Sequence, residues 1–308
     1  MKNRPCSALR TYGFTLIELM LSTLIATLLI AGALRLLVNG RIAWQTAQNV
    51  ATLEERAAYA LTALEQDIAL AGYWGILSDS RAIAVQPDVT ARCSGRDVTA
   101  WALDFDAPVQ ADNGTFTLPC TAFAALVTGA DTLTIRHASP LPTAAADGRI
   151  QLYANHHDGV VFQSGSAPVA TTGTGETYNL EVHAWHLVRN STEMNLPALR
   201  RFALVAGGTM QNQEIIPGIE NFQVTLGVDR DADGIVDGFV NPDATANNPV
   251  MAVRYWLLLR SAKPEPGHID DGPWQSIDTN ARTPMHPGDR YRRITAQRTV
   301  WLRNLASR

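Results

Sequence analysis

The chain has 308 residues, of which 46% are hydrophobic and 18% are charged. This composition can bury a core, which excludes a disordered polymer. The net charge is −4, and the first thirteen residues carry Lys2, Arg4 and Arg10 without any acid, so the remainder carries −4 − 3 = −7. An acidic body argues against nucleic acid as a direct partner, because affinity for phosphate comes from clustered Lys and Arg.

The first predicted element is an apolar run from Phe14 to Leu34, whose 21 residues include one charge, Glu18. As a helix this run is about 31 Å long, which matches a hydrocarbon core of roughly 30 Å. Basic residues precede it, which places the N-terminus in the cytoplasm and the body outside. The run is therefore predicted to cross a membrane once.

Three kinds of segment have this pattern: a secretory signal cleaved at Ala31-Gly32-Ala33, a plain signal anchor, and a precursor with a short leader. Glu18 decides between them. A carboxylate inside the run costs up to ~3 kcal/mol on insertion, and the apolar regions of signal peptides avoid it. A carboxylate kept there needs a partner, which favours the precursor.

The stretch from Gly13 to Met20, GFTLIELM, closely resembles the N-terminus of type IV pilins. The resemblance implies that prepilin peptidase cleaves between Gly13 and Phe14 and that Phe14 is then N-methylated. It also implies that Glu18 neutralises the amino terminus of a neighbouring subunit. An ammonium and a carboxylate in lipid both need a counter-charge, so this role makes physical sense.

The helix is predicted to continue beyond the membrane to Ala71, since Pro and Gly are absent between Arg41 and Ala71. Gly32 and Gly40 are candidate points of bending. Apolar residues recur at helical spacing and predict packing on a globular body, whereas Asp67 and the other charges fall mostly off this stripe. The stripe consists of Leu53, Ala57, Leu61, Leu64, Ile68 and Ala71.

Gly72 is well placed to cap the end of this helix. The run from Asp67 to Gly75, DIALAGYWG, resembles the PilW family of minor pilins. The predicted organisation is a leader at 1–13, a transmembrane helix half at 14–38, an amphipathic periplasmic helix half at 39–71 and a periplasmic globular domain at 72–308.

Cys93 and Cys120 lie in an irregular segment, and the third cysteine, Cys6, lies in the leader. Neither body cysteine belongs to a CxxC motif, which argues against metal binding and dithiol redox chemistry. An exported body favours a disulfide between them over two buried thiols. Closing that loop would contribute about 3.5 kcal/mol in the chain-entropy model.

Short alternating segments separated by Gly, Pro and Asn turns predict an antiparallel sheet. With the long helix they give an α+β, type IV pilin-like fold. The order of the segments also resembles the PilW family. The predicted strands are 131–136, 181–186, 199–205, 222–228, 253–260 and 294–302.

The run from Asp229 to Asp237, DRDADGIVD, is a candidate Ca²⁺ site with ligands from the side chains of Asp229, Asp231, Asp233 and Asp237 and the carbonyl of Ile235. Hard oxygen ligands suit Ca²⁺ better than zinc. The twelfth position holds Val240 instead of the bidentate Glu of an EF-hand, so the loop is closer to the shorter loops of extracellular calcium modules. The alternative is a solvated turn.

The histidines give no metal signal: His156 and His157 are adjacent, and His183 and His186 are predicted to lie on opposite faces of a strand. They are interpreted as surface or core residues. The sequence has no GxSxG, HExxH or P-loop motif, so no catalysis and no required cofactor are predicted.

The family resemblance implies a structural subunit of the type IV pilus, in the complex that primes assembly near the tip. Its expected partners are other minor pilins, the major pilin, prepilin peptidase and the bacterial inner membrane. Two alternatives remain: a J-type minor pseudopilin of type II secretion, and a secreted binding protein released after Ala33.

Overall fold

The structure is a computed structural model that describes residues 13, 15–168, 174–192, 196–246, 248–278 and 285–305. The chain divides into two compact units, Met1–Asn49 and Val50–Arg308. One helix, α1 (Leu16–Ala69), supplies the described secondary structure of the first unit and also the first element of the second. The predicted long helix is therefore confirmed, and it ends two residues earlier than expected.

The helix does not melt at Gly32 and Gly40, because α1 is continuous through both residues. A glycine inside a helix costs about 1 kcal/mol relative to alanine, and the flanking run of strong helix formers can absorb that cost. The chain leaves the helix through a turn in which Gly72 has φ +71°, a conformation that favours glycine. Gly72 thus ends the helix as predicted.

Beyond α1, the second unit contains a short helix and fourteen strands among the described residues. The helix is α2 (Thr99–Ala102). The strands are β1 (Ile83–Val85), β2 (Arg92–Cys93), β3 (Arg96–Asp97), β4 (Val109–Asp112), β5 (Thr132–Ala138), β6 (Asp147–Ala154), β7 (Gly159–Ser164), β8 (Glu176–Val188), β9 (Ala198–Val205), β10 (Thr209–Pro217), β11 (Ile219–Val228), β12 (Gly238–Val240), β13 (Val250–Arg260) and β14 (Arg293–Trp301).

These strands form two sheets, where the sequence predicted one. The large sheet has the order β1-β7-β6-β8-β9-β10-β2-β3, with β5 also paired to β8 and β4 paired to β5. The small sheet has the order β12-β11-β13-β14. The pairing is antiparallel apart from two short parallel contacts, β1 with β7 and β2 with β10. The α+β class with a sheet rich in antiparallel pairs is therefore confirmed.

The first hydrophobic core joins the C-terminal part of α1 to the small sheet and to neighbouring strands of the large sheet, including β5 and β8. Leu53, Leu64 and Ile68 of the helix are at most 1% exposed and share one cluster with Tyr255 and Leu257 of β13. Alternate residues of β13 face this cluster because side chains of a strand alternate between its two faces. Burying each large apolar side chain contributes roughly 1.5–3 kcal/mol.

The second core lies on the large sheet and includes the two body cysteines. Cys93 and Cys120 are joined in a disulfide, with their Cα atoms 5.3 Å apart. Both residues are buried beside apolar side chains such as Phe202 and Met210. The bond joins β2 to a segment without regular strands, which is where the sequence predicted such a constraint.

Candidate functional site

Glu18 lies in the first turn of α1 and is bonded to the residue that precedes the helix. The backbone N–H and the hydroxyl of Thr15 donate to Glu18 Oε2 at 3.2 and 3.1 Å, and Thr15 Oγ1 accepts the Glu18 N–H at 3.3 Å. This reciprocal pair is a capping box, which satisfies two N–H groups that a helix leaves unpaired. Glu18 therefore has a local role in addition to the one that the pilin resemblance implies.

The apolar surface that follows Glu18 is uncovered in the single chain. Every residue from Thr15 to Gln45 is exposed, including large side chains such as Leu28 and Leu29 at 67% and 69%. Among the described residues, α1 is the one helix long and apolar enough to cross a membrane. Continuous apolar surface of this extent is typical of a membrane or protein contact. Phe14 and residues 1–12 lie outside the described part of the chain, so the cleavage site stays a prediction.

The predicted calcium ligands lie in the hairpin loop between β11 and β12, which Val228 and Gly238 close as paired residues. One carboxylate oxygen each from Asp229, Asp231 and Asp237 lies within 4.8 Å of the others. The structure thus brings three of the four predicted carboxylates together, and it places Asp233 apart, with its Oδ1 accepting the Ile235 N–H at 2.7 Å.

Hydrogen bonds inside the loop also support the simpler turn interpretation. Asp229 accepts the N–H groups of Ala232 and Gly234 at 2.7 and 2.8 Å, and Asp237 accepts that of Arg230 at 2.6 Å. Burial acts to raise the pKa of Asp229, but these N–H donors outweigh it and hold that pKa below its usual value. The negative charge of Asp233 raises the pKa of Asp231. Repulsion of this kind between carboxylates favours the binding of a cation in the loop.

A third cluster, which the sequence analysis missed, surrounds Asp67. The prediction that Asp67 lies off the buried stripe is wrong, because its side chain is 4% exposed and is bonded to three side chains. Asp67 Oδ1 lies 3.0 Å from His137 Nε2 and 2.6 Å from His183 Nδ1, and Trp185 Nε1 donates to Asp67 Oδ2 at 2.5 Å.

The charges of this cluster hold the carboxylate ionised. Burial acts to raise the pKa of Asp67, but the charge of His183 and the hydrogen bonds of both histidines outweigh it, so that pKa is well below its usual value. Burial acts to lower the pKa of His137, and Asp67 outweighs it, so that pKa is raised. His183 and Trp185 lie on one face of β8. Only knowledge of the pairing of β8 with β5 could have placed His137 beside them.

The other histidines behave as core or surface residues. His186 stacks on Phe202 with ring centroids 4.6 Å apart, and burial lowers the pKa of His186 to about 4. It is therefore neutral at pH 7. It lies on the opposite side of β8 from His183, as the alternation predicted.

Comparison with known proteins gives one family match. Residues 185–304 match the model of the PilW family, described as type IV pilus-assembly protein W. No curated protein sequence matches the chain. Among solved structures, a type IV-like pilin from Thermus thermophilus is similar, with 12% identity, a TM-score of 0.37 and coverage of 82% of this chain and 96% of the pilin. A TM-score this low carries no inference about the fold.

The matched segment runs from the C-terminal end of β8 to three residues beyond β14, so it includes the small sheet and the acidic loop. The N-terminal pilin motif and the exposed apolar helix lie outside the matched segment. Both indicate a pilus-related protein without relying on that match. The pattern is that of a structural protein related to pilus assembly, and the described residues give no positive evidence of catalysis. Residues 185–304 of the chain thus match the PilW family of type IV pilus-assembly proteins, and the N-terminus of the chain resembles that of type IV pilins.

Proposed function

We propose that the protein is a minor pilin, a structural subunit of the complex that primes assembly of a type IV pilus and lies near its tip. The observation that carries this proposal is the exposed apolar helix that begins at Leu16, in a chain whose residues 185–304 match a pilus-assembly family. Its partners are other minor pilins and the major pilin, and it has no direct nucleic-acid partner. A helix with so much uncovered apolar surface needs lipid before assembly and neighbouring helices after it.

Before assembly, the protein is anchored in the bacterial inner membrane by a single span, with the body in the periplasm. The leader with its three basic residues supports this orientation. The carboxylate of Glu18 inside the apolar run supports retention of the anchor, since the apolar regions of signal peptides avoid charge. This observation disfavours the secreted binding protein.

The test of the function is a chromosomal deletion, complemented with the wild-type gene. We expect few or no surface pili in the deletion strain, and we expect cross-linking in intact cells to recover other minor pilins with the complementing protein. Normal piliation together with failure of protein secretion would instead identify the J-type pseudopilin. Normal piliation and normal secretion would contradict both structural roles.

The mature protein is expected to begin with N-methylated Phe14. Prepilin peptidase needs its site at the membrane boundary, and Gly13 directly precedes the apolar run. Intact-mass analysis of membrane-extracted protein should give the mass of residues 14–308 plus one methyl group. A chain that retains residues 1–13 would contradict the prediction, and a chain that starts after Ala33 would support the secreted alternative.

Calcium is expected to stabilise the wild-type protein through the acidic loop. A bound ion would remove the repulsion among Asp229, Asp231 and Asp237, and stabilisation should reach about 2.7 kcal/mol at a hundred times Kd. Loops of this kind in extracellular modules bind at roughly 10⁻⁴–10⁻³ M, so millimolar calcium is the relevant concentration. The melting temperature of full-length protein in detergent, stripped of transition metals, would be compared with calcium and with chelator.

Asp231→Ala is the control for this measurement, because it removes a central carboxylate without touching the core. Calcium should not move the melting temperature of this variant. If calcium leaves the wild-type melting temperature unchanged as well, the loop is only an acidic turn.

A further inference from the structure

Four polar side chains meet where the last turn of α1 contacts β5 and β8. His137 is the cross-strand partner of Glu181, and His183 follows Glu181 by two residues, so the three side chains share one face of the sheet. Asp67 of α1 faces them, with Oδ1 at 3.0 Å from His137 Nε2 and at 2.6 Å from His183 Nδ1. Glu181 Oε2 lies 3.9 Å from His137 Nε2.

The hydrogen bonds of His137 require a proton or a metal ion between its ring and Asp67. Its Nδ1 lies 2.8 Å from the carbonyl oxygen of Ala138, which can only accept, so Nδ1 carries a hydrogen. In the neutral imidazole, Nε2 would then direct a lone pair at Asp67 Oδ1, which is also an acceptor. A proton, bound to one of these two atoms, or a metal ion must therefore lie between Asp67 Oδ1 and His137 Nε2.

We propose that the Asp67 cluster is a structural zinc site, with His137 Nε2, His183 Nδ1, Asp67 Oδ1 and Glu181 Oε2 as its four ligands. Two imidazoles and two carboxylates form a donor set that zinc accepts in tetrahedral geometry. The two carboxylates balance the charge of Zn²⁺, whereas a proton on His137 balances Asp67 alone. This inference does not depend on the role of the protein in the pilus.

The dimensions of the cluster are close to those that zinc needs. Bonds of 2.0–2.2 Å in tetrahedral geometry place ligand atoms about 3.3 Å from one another. Asp67 Oδ1, His137 Nε2 and His183 Nδ1 form a compact group, with 3.0 and 2.6 Å between the carboxylate oxygen and the two histidine nitrogens, so these three ligands need only small shifts to hold zinc. Glu181 Oε2 lies 3.9 Å from His137 Nε2 and outside this compact group, so the Glu181 side chain has to move inward to become the fourth ligand. The carboxylate of Glu181 has the furthest to move, and its side chain is 28% exposed and hence adjustable.

Groups around the cluster already hold the ligands in the orientation that a metal requires. The carbonyl of Ala138 fixes the tautomer of His137, and Trp185 Nε1 donates to the Asp67 oxygen that is not a proposed ligand. Metal-binding histidines and carboxylates usually have such outer partners. Asp67, His137 and His183 are buried, whereas Glu181 is 28% exposed and leaves an entry path for the ion. Bound zinc would fasten the end of α1 to two strands.

The test uses full-length protein in detergent, purified without a polyhistidine tag and stripped of metal. Competition with a chromophoric chelator should show one zinc ion per chain. The melting temperature should rise by about 5 °C or more when free zinc exceeds Kd a hundredfold. Cobalt, used in place of zinc, should give the intense visible absorption of a tetrahedral site.

Glu181→Gln removes one proposed ligand at a partly exposed position, so the variant should fold, and its zinc affinity should fall about tenfold or more. Glu55→Gln makes the same change at an exposed position of α1 outside the cluster and should bind as the wild type does. His183→Gln should abolish the cobalt absorption. Equal zinc affinity in Glu181→Gln and the wild type would overturn the proposal. So would a wild-type melting temperature that responds to pH but not to zinc, since a proton would then be the cation.

Discussion

Glu18→Gln is expected to leave the protein folded and inserted in the membrane, but to reduce its incorporation into pili at least tenfold. Glutamine has almost the same shape as glutamate and lacks the charge that would neutralise the amino terminus of a neighbouring subunit. Removing one partner of a buried ion pair costs about 3–5 kcal/mol, because the other charge stays unpaired in a medium of low polarity. A free-energy loss of that size changes an assembly equilibrium by more than tenfold.

The capping box makes glutamine a better test than alanine. Glutamine can accept the hydrogen bonds of Thr15 as glutamate does, so Glu18→Gln keeps the start of α1 and removes only the charge. Glu18→Ala removes both the charge and the hydrogen bonds of the cap, and losing the cap costs about 0.5–2 kcal/mol of helix stability. The pair of variants therefore separates the intermolecular role from the local one.

The measurement is the amount of each variant in sheared pili relative to the amount in membranes, in the deletion strain. Both variants should be present in membranes and depleted from pili. If Glu18→Gln enters pili as the wild type does and only Glu18→Ala fails, Glu18 acts as a helix cap and the charge is not needed.

Leu64→Ala is expected to destabilise the second unit by about 2–5 kcal/mol, which is the usual range for a leucine truncated in a core. Leu64 is completely buried in the first core, where α1 packs on β13. The substitution removes buried apolar atoms and leaves a cavity that the surrounding strands can fill only in part. The midpoint of chemical unfolding of the full-length protein in detergent measures the loss.

Tyr59→Ala is the matched control, since it truncates a larger side chain on the same helix. Tyr59 is 56% exposed, so its loss should cost less than about 1 kcal/mol. If the two substitutions destabilise the protein equally, α1 is not packed on the small sheet through the face that contains Leu64.

Local patterns in the sequence predicted the features that depend on neighbouring residues. The apolar run and the stripe from Leu53 to Ala71 predicted α1, and Gly72 predicted its end, because helix formation and its termination are decided within a few turns. Alternation predicted β5, β9, β11, β13 and β14, with each end within three residues of the observed one. β10 was missed because its polar run, from Gln211 to Glu214, hides the alternation.

The sequence by itself thus determined the long apolar helix, the α+β class and the resemblance to pilins, since each depends on periodicity or on a contiguous motif. Only the tertiary structure decided that the strands form two sheets and that Asp67 is buried. Asp67, His137 and His183 are up to 116 positions apart, and the pairing of β5 with β8 brings them together. A carboxylate at the edge of a helical stripe looks solvated in the sequence. It can be buried here because donors from two distant strands offset the cost of removing its charge from water.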